Sequence, residues 1–327
     1  MNKDVVNPKR VISELSKEEV AIVIAIGSVS ASDICRKYID EYAIRTDNII
    51  VPNPYTTLRF FFCDGDVCNE EMLRKDSPEY QLVREMFHDK ESLKIFQAIM
   101  DAKLYNGPDD DYELVLYDDI KDVYYYDEAY GFEKFMPHDQ KYATVLDCGA
   151  YIGDSIKDIC NEVNAENILY YAFEPQSYNY NILINDRRLE EYCSELRTYN
   201  CGLGEKDGKV QFMIPPSGAR DGGHIVYCEA DKNSKEIMEC TIKSIDNMGI
   251  EIRGNLFIKM DIEGAELSAL KGAYDTIMRY HPCFSICVHH RKNDITEIPL
   301  FIKGLGLDYD YYLIGGYHTI LLAIPRK

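Results

Sequence analysis

Val145-Leu146-Asp147-Cys148-Gly149-Ala150-Tyr151-Ile152-Gly153-Asp154 runs from an apolar strand through a glycine turn into the start of a helix. That order opens a β-α-β unit, and the chain beyond residue 142 keeps the alternation. Thr144 to Cys148 reads as a first strand, with a helix from about Asp154 to Val163. Ile168 to Phe173 reads as a second, with a helix from about Ser177 to Tyr192, and Leu196 to Cys201 as a third. Leu256 to Met260 is a fourth, followed by a helix from about Ala265 to Arg279, and Cys283 to Val288 is a fifth. The pattern predicts an α/β fold: a doubly wound, mainly parallel, Rossmann-like sheet. Ligands of such sheets sit beyond the carboxyl ends of the strands.

The glycines and acids at those ends point to the ligand. Gly149 and Gly153 do not have the G-x-G-x-x-G spacing of a dinucleotide site. Asp147, just before the turn, would repel a pyrophosphate and attract an ammonium group. S-adenosylmethionine has an ammonium, a carboxylate, a sulfonium and no phosphate, so the segment favours it over NAD. Gly149 lets the backbone approach a ligand closely. Ala150, Tyr151 and Gly153 continue the turn, and the helix start at Asp154 and Ser155 offers N–H groups to the ligand carboxylate. Glu174, followed by Pro175, ends strand two where a carboxylate can accept both ribose hydroxyls. Asn200 and Gly202 follow strand three, where the adenine edge would be read.

Strand four and its loop read Leu256-Phe257-Ile258-Lys259-Met260-Asp261-Ile262-Glu263-Gly264-Ala265-Glu266. Charges at the end of a buried strand must pair or face a wet cleft. Glu266 alone suits the dipole of the helix it opens. Lys259, Asp261 and Glu263 together indicate a functional cleft.

The run Ile258 to Glu266, with Leu270, Gly272 and Ala273 after it, resembles the signature of the FkbM family of S-adenosylmethionine-dependent methyltransferases. Asp147 to Asp154 and Glu174-Pro175 are similar to its cofactor motifs, and Ser244-Ile245-Asp246 also fits. Ser285 to Pro299, with His290, Asp294, Glu297 and Ile298, resembles a subgroup with a histidine after strand five. The resemblance covers about Tyr124 to the C-terminus and implies the class I methyltransferase fold, its sheet ending in a C-terminal antiparallel hairpin, and O-methyl transfer, in many members to sugar or polyketide hydroxyls. Departures lie on the substrate side: His289 replaces a tyrosine, and Ile314-Gly315-Gly316 and His318 differ from the subgroup. Methyl transfer needs an aligned nucleophile and a base. On this reading His290 or Asp261 takes the proton, Glu263 and Lys259 position the acceptor, and Asp261 also borders the cofactor. Asp261, Glu263 and His290 are metal-ligand types, but no spacing demands an ion and none is expected.

Residues 1–66 read as a small Rossmann-like α/β module of structural role. They hold the apolar run Glu19 to Gly27, a helix from about Ala31 to Tyr42, and the strand Ile49-Ile50-Val51. Residues 67–123 read as a connector: helical periodicity from Ser77 to Leu104, then an acidic loop within Pro108 to Glu128, which holds nine Asp or Glu. Residues 124–327 are the methyltransferase domain. Between strands three and four, Lys206 to Glu239, with Arg220 and His224, reads as a substrate lid or hairpin, or equally as a solvated loop.

With 36 basic against 56 acidic side chains among 327 residues, the net charge of −20 excludes nucleic acid and anionic membrane surfaces as partners. No apolar run approaches the ~20 residues of a membrane span, and the first residues carry no export signal, so a cytoplasmic location is expected. Eleven cysteines, an odd number without C-x2-C spacing, predict buried free thiols. The expected partner is a small-molecule or glycan acceptor, with homodimerisation open. Three rivals remain: methyl transfer to a non-sugar O- or N-acceptor, an NAD-dependent sugar-modifying enzyme, and a non-catalytic binding protein. The missing dinucleotide fingerprint weighs against the second; Asp147, Glu174 and Asp261 weigh against the third.

Overall fold

The computed structural model describes residues 22–23, 49–52, 70–104, 114–116, 140–163, 167–214, 224–225, 236–315 and 319–326. Towards the N-terminus, β1 (Ile22–Val23) pairs in parallel with β2 (Ile49–Pro52). The helix expected over 31–42 lies outside the described residues. Three helices follow: α1 (Glu70–Leu73), α2 (Pro78–Arg84) and α3 (Lys90–Leu104). Ser77 caps α2, its hydroxyl accepting the Tyr80 N–H at 3.0 Å, and Pro78 occupies the first helical position. The acidic stretch expected as a loop contributes β3 (Leu114–Leu116), which pairs antiparallel with β2.

The alternation then unfolds as read. β4 (Tyr142–Cys148), α4 (Ile156–Glu162), β5 (Leu169–Phe173), α5 (Ser177–Asn185) and β6 (Glu195–Tyr199) form the first half. After it come four short elements, β7 (Gly202–Leu203), β8 (Gly208–Ile214), β9 (His224–Ile225) and β10 (Glu236–Lys243). The second half is β11 (Asn255–Met260), α6 (Glu266–Lys271), α7 (Tyr274–Tyr280), β12 (Cys283–Cys287), α8 (Asp294–Gly304), β13 (Tyr309–Ile314) and β14 (Ile320–Pro325).

Seven strands make one sheet in the order β13-β14-β12-β11-β4-β5-β6. All pairs from β12 to β6 are parallel, and β14 runs antiparallel to both its neighbours. The order reverses between β4 and β11, which makes their carboxyl ends the switch point where a ligand crevice opens. The central strands are covered on both faces, and for that reason read as continuous apolar runs: every residue of β5 and β12 is buried.

Two expected helices are broken. The stretch 265–279 divides into α6 and α7 at Gly272, where a Cβ would overlap the Gly204 carbonyl oxygen. The stretch 177–192 divides at Asp186, whose carboxylate accepts the Arg188 N–H and starts a 3-10 turn over Arg187–Glu191. The insertion between strands three and four is a four-stranded sheet, β7-β10-β8-β9, in which β8 and β10 pair antiparallel along their length. Residues 215–223, including Arg220, lie outside the described residues.

The connector helices pack into the same hydrophobic core as one face of the sheet. They also reach its edge. Phe87 forms an isolated parallel bridge to Tyr311 on β13, and the fully buried Ser92 hydroxyl accepts the Leu313 N–H at 2.8 Å. A buried donor left without a partner costs about 1–3 kcal/mol. Ser92→Ala is therefore expected to lower unfolding stability by that amount in a urea titration, and a loss below 0.5 kcal/mol, the low end for one net hydrogen bond, would remove this anchor. At the opposite end of the sheet, β6 carries Arg197 paired with Glu195 of its own strand and with Glu251. The described cysteines are all buried free thiols, and no helix among the described residues is long and apolar enough to cross a membrane.

Candidate active site

Register brings the site together. Asp147 on β4 lies opposite Lys259 on β11 and opposite Ala172 on β5, so the two charged side chains meet between neighbouring strands. Lys259 Nζ stands 3.0 Å from Asp147 Oδ1 and donates to the Gly149 carbonyl at 2.7 Å. Asp147 Oδ2 accepts the Tyr170 hydroxyl at 2.8 Å and that of Ser155 at 3.4 Å. Asp147 is 0% and Lys259 2% exposed. Two expectations are corrected here. Asp147 is not an open carboxylate awaiting an ammonium, because Lys259 already neutralises it. Lys259 does not point to an acceptor; it ties the ends of β4 and β11 together.

The turn after β4 is held by β5 and by the loop after β11. Gly149 and Ala150 donate their N–H groups to the Phe173 carbonyl at 3.0 and 2.9 Å. Asp261 donates its own N–H to the Cys148 carbonyl at 3.0 Å. Gly149 has φ 85°, and a Cβ there would overlap the Asp261 carbonyl oxygen. Gly153, at φ 87°, lies against the Leu183 and Leu189 side chains.

Glu174 is buried at the tip of β5, where its carboxylate accepts the Gln176 N–H at 2.8 Å and the Tyr151 N–H at 3.1 Å. Burial pushes its pKa up to about 7, against the pull of those two backbone donors. Asp154 is exposed and Pro175 half-buried. Asn200 donates its side-chain amide to the Glu174 and Pro175 carbonyls at 2.8 and 3.2 Å. Both contacts tie the tips of β5 and β6, so these donors hold backbone rather than an adenine edge. Gly202 packs under Ile242 and Pro175.

The loops after β11 and β12 converge on a second cluster. His290 donates Nδ1–H to Glu266 Oε1 at 2.8 Å, and its Nε2 stands 3.4 Å from Asp261 Oδ1 and 3.5 Å from Glu263 Oε2. Glu266, which opens α6, is fully buried, and the same oxygen accepts the Ile262 N–H at 2.9 Å. It is thus more than a dipole partner for its helix: it orients His290. Burial alone would lower the imidazole pKa, but Glu266, Glu263 and Asp261 outweigh it and hold the ring at about 10. With only these carboxylates around it the imidazole favours its doubly protonated form at neutral pH, and in that form it takes no further proton. The His289 ring lies against that of His290, with centroids 4.2 Å apart and the planes tilted by 41°, and Arg291 lies over Gly264.

Two non-glycine residues here have left-handed backbone, Tyr151 at φ 50° and Glu263 at φ 55°. Such strain costs about 1–3 kcal/mol per residue and concentrates at functional sites. One lies in the turn after β4, the other in the loop after β11.

Among solved structures, the methyltransferase FkbM from Methylobacillus flagellatus KT has 21% identity and a TM-score of 0.60, covering 97% of this chain and 77% of that chain. It shows the fold. A SAM-dependent methyltransferase from Aquifex aeolicus (12% identity, TM-score 0.32, 56% of this chain, 82% of that chain) superposes too loosely to carry an argument. The same holds for the precorrin-6y C5,15-methyltransferase from Geobacter metallireducens GS-15 (12%, 0.31, 57% and 82%). No curated protein matches the chain significantly. The methyltransferase FkbM domain matches residues 147–311, half of the chain, from the strand-end Asp147 through both clusters to β13, and the chain thus belongs to the FkbM methyltransferase family.

Proposed function

We propose that the protein is an S-adenosylmethionine-dependent O-methyltransferase acting on a hydroxyl of a sugar or glycan precursor. The observation that carries this reading is the adjacency of two unlike sites at the β4/β11 switch point: a glycine turn beside the buried Glu174, and a polar carboxylate–imidazole cluster. They touch where Gly149 meets the Asp261 carbonyl. The residues suit the cofactor. Glu174 has acceptor capacity for ribose hydroxyls beyond its donors Gln176 N–H, Tyr151 N–H and the Asn179 side chain, and Gln176, two residues on, has a buried side-chain oxygen without a hydrogen-bond partner among the described residues. The cofactor supplies an electrophilic methyl group on a sulfonium.

The chain does the rest. Glu174 fixes the ribose, and the turn from Gly149 to Tyr151 brings backbone close to the ligand. Glu263 and the His290–Glu266 pair hold the polar groups of the acceptor, and Asp261 takes the hydroxyl proton. A cluster built of carboxylates and an imidazolium favours an acceptor rich in hydroxyls.

Calorimetric titration with S-adenosylmethionine, S-adenosylhomocysteine and NAD tests the cofactor. Binding of the first two is expected; binding of NAD alone would overturn the reading. Transfer of a labelled methyl group to nucleotide-sugars rather than to amines or non-sugar alcohols tests the acceptor. Glu174 also sets a pH dependence. A carboxyl with pKa about 7 is largely protonated below that pH and loses acceptor capacity. S-adenosylmethionine affinity is therefore expected to fall as pH drops below 7, by up to about tenfold per unit, and to level off above 8. Glu174→Gln should bind weakly with a flat profile; a wild-type profile in that variant would remove Glu174 from the ribose. Without cofactor the sign reverses. A carboxyl whose folded pKa lies above its usual 4.5 favours the fold at low pH, so this contribution is lost as pH rises from 4.5 through 7.

A further inference from the structure

Asp261, Glu263 and His290 each offer one ligand atom, and the three atoms lie within 4.8 Å of one another. We propose that they form a binding site for one divalent cation of the Mn2+ or Mg2+ class, which takes the place of the proton on His290 Nε2, so that binding releases that proton to solvent, and which holds oxygens of the acceptor; the acceptor part rests on the methyltransferase reading above.

Distances argue for an ion at the centre. His290 Nε2 is 3.4 Å from Asp261 Oδ1 and 3.5 Å from Glu263 Oε2. Both exceed the ~2.7–3.2 Å of a good N–H···O bond. Two ligand atoms each ~2.0–2.2 Å from a metal, at the angles of octahedral or tetrahedral coordination, stand about 3.0–3.5 Å apart. The separations are those of neighbours around an ion.

The surroundings agree. Metal-binding histidines characteristically give their other ring nitrogen to a carboxylate, which fixes the tautomer and aims the ligand atom. Glu266 does this at 2.8 Å while itself 0% exposed. Its second oxygen, Oε2, is buried without a hydrogen-bond partner among the described residues. Glu263, whose Oε2 faces His290 Nε2, has left-handed backbone at φ 55°.

Two carboxylates and a single imidazole make an oxygen-rich donor set, which suits Mn2+ and Mg2+ better than ions preferring several nitrogens or thiolates. Three protein ligands leave coordination positions open, and Glu263 is 36% exposed on its side chain, so the site faces solvent and a ligand can enter. An acceptor with two adjacent oxygens, such as a vicinal diol, can occupy two open positions together. A hydroxyl bound to the ion becomes more acidic.

The test is a titration of the full chain with Mn2+, followed by the loss of the paramagnetic resonance signal of free aqueous Mn2+ and by calorimetry. One ion per chain is expected, with Glu263→Gln and His290→Gln each weakening it at least about tenfold and S-adenosylmethionine affinity unchanged within about twofold, well under one 1.4 kcal/mol decade. Retained cofactor binding shows that each variant is folded. Absence of saturable Mn2+ binding to the wild type, or binding by both variants as by the wild type, would overturn the proposal. A wild type that binds Mn2+ but not S-adenosylmethionine would remove the functional reading and leave the ion site; the opposite result would remove the ion site alone.

Discussion

Lys259→Met should lower the stability of the protein by about 3–5 kcal/mol, the range for removing one partner of a buried ion pair. The substitution takes away a cation that is 2% exposed and leaves Asp147, 0% exposed, negatively charged. The Tyr170 and Ser155 hydroxyls still donate to Asp147 Oδ2, but nothing then replaces the ammonium 3.0 Å from Oδ1. The Gly149 carbonyl also loses its donor. Adding Asp147→Asn to the same chain removes the orphaned charge, so the double variant should regain most of the loss. A urea double-mutant cycle measures this directly. A single-variant loss under 1 kcal/mol, typical of an exposed pair, would mean that the pair does not hold the strand ends.

Gly149→Ala should be as damaging, for a different reason. The residue has φ 85°, which costs an L-residue about 1–2 kcal/mol. Its new Cβ would also overlap the Asp261 carbonyl oxygen, so the loop after β11 would have to move. That loop carries Asp261 and Glu263, and on the function proposed above the turn itself borders the cofactor. S-adenosylmethionine affinity is expected to fall more than about 100-fold, or ~2.7 kcal/mol, with a lowered thermal midpoint. Gly249→Ala is the comparison: φ is 62°, but a Cβ there meets nothing within 4 Å. It should cost the backbone term alone and leave cofactor affinity as it was. Equal effects of the two alanines would show that backbone conformation, not the contact with Asp261, makes Gly149 necessary.

Much of this architecture is legible in the residues. The apolar runs Thr144 to Cys148, Ile168 to Phe173 and Cys283 to Val288 read as buried strands because both their faces are covered, and they appear within two residues of the expected bounds. The helix breaks are not legible in the same way. Gly272 in a helical pattern is tolerable by local rules; its carbonyl instead accepts the Ser244 hydroxyl and the Asp246 N–H, and the Gly204 carbonyl lies where a side chain would be, all contacts from far off in the chain. The same limit applies to the charges. Lys259 and Asp147 are each readable as functional, but that they neutralise one another depends on the register of β4 against β11. Glu266 and His290 are 24 residues apart, and no local spacing reports that two loops bring them to 2.8 Å. Sequence patterns place side chains at strand ends; pairing across strands decides which of them remain open to a ligand.

The anchoring of β13 by Ser92 and Phe87 bears on how copies of this protein can meet. An exposed sheet edge is a template for strand addition, and so for aggregation or for dimers that extend one sheet into the next. At β13 the outward N–H of Leu313 is taken by Ser92, and Tyr311 is bridged to Phe87. At the other end, β6 presents Glu195 and Arg197, charges that make edge-to-edge pairing unfavourable. Among the described residues, the seven-stranded sheet therefore terminates within one molecule at both ends, and neither of its edges offers an open template to a second copy.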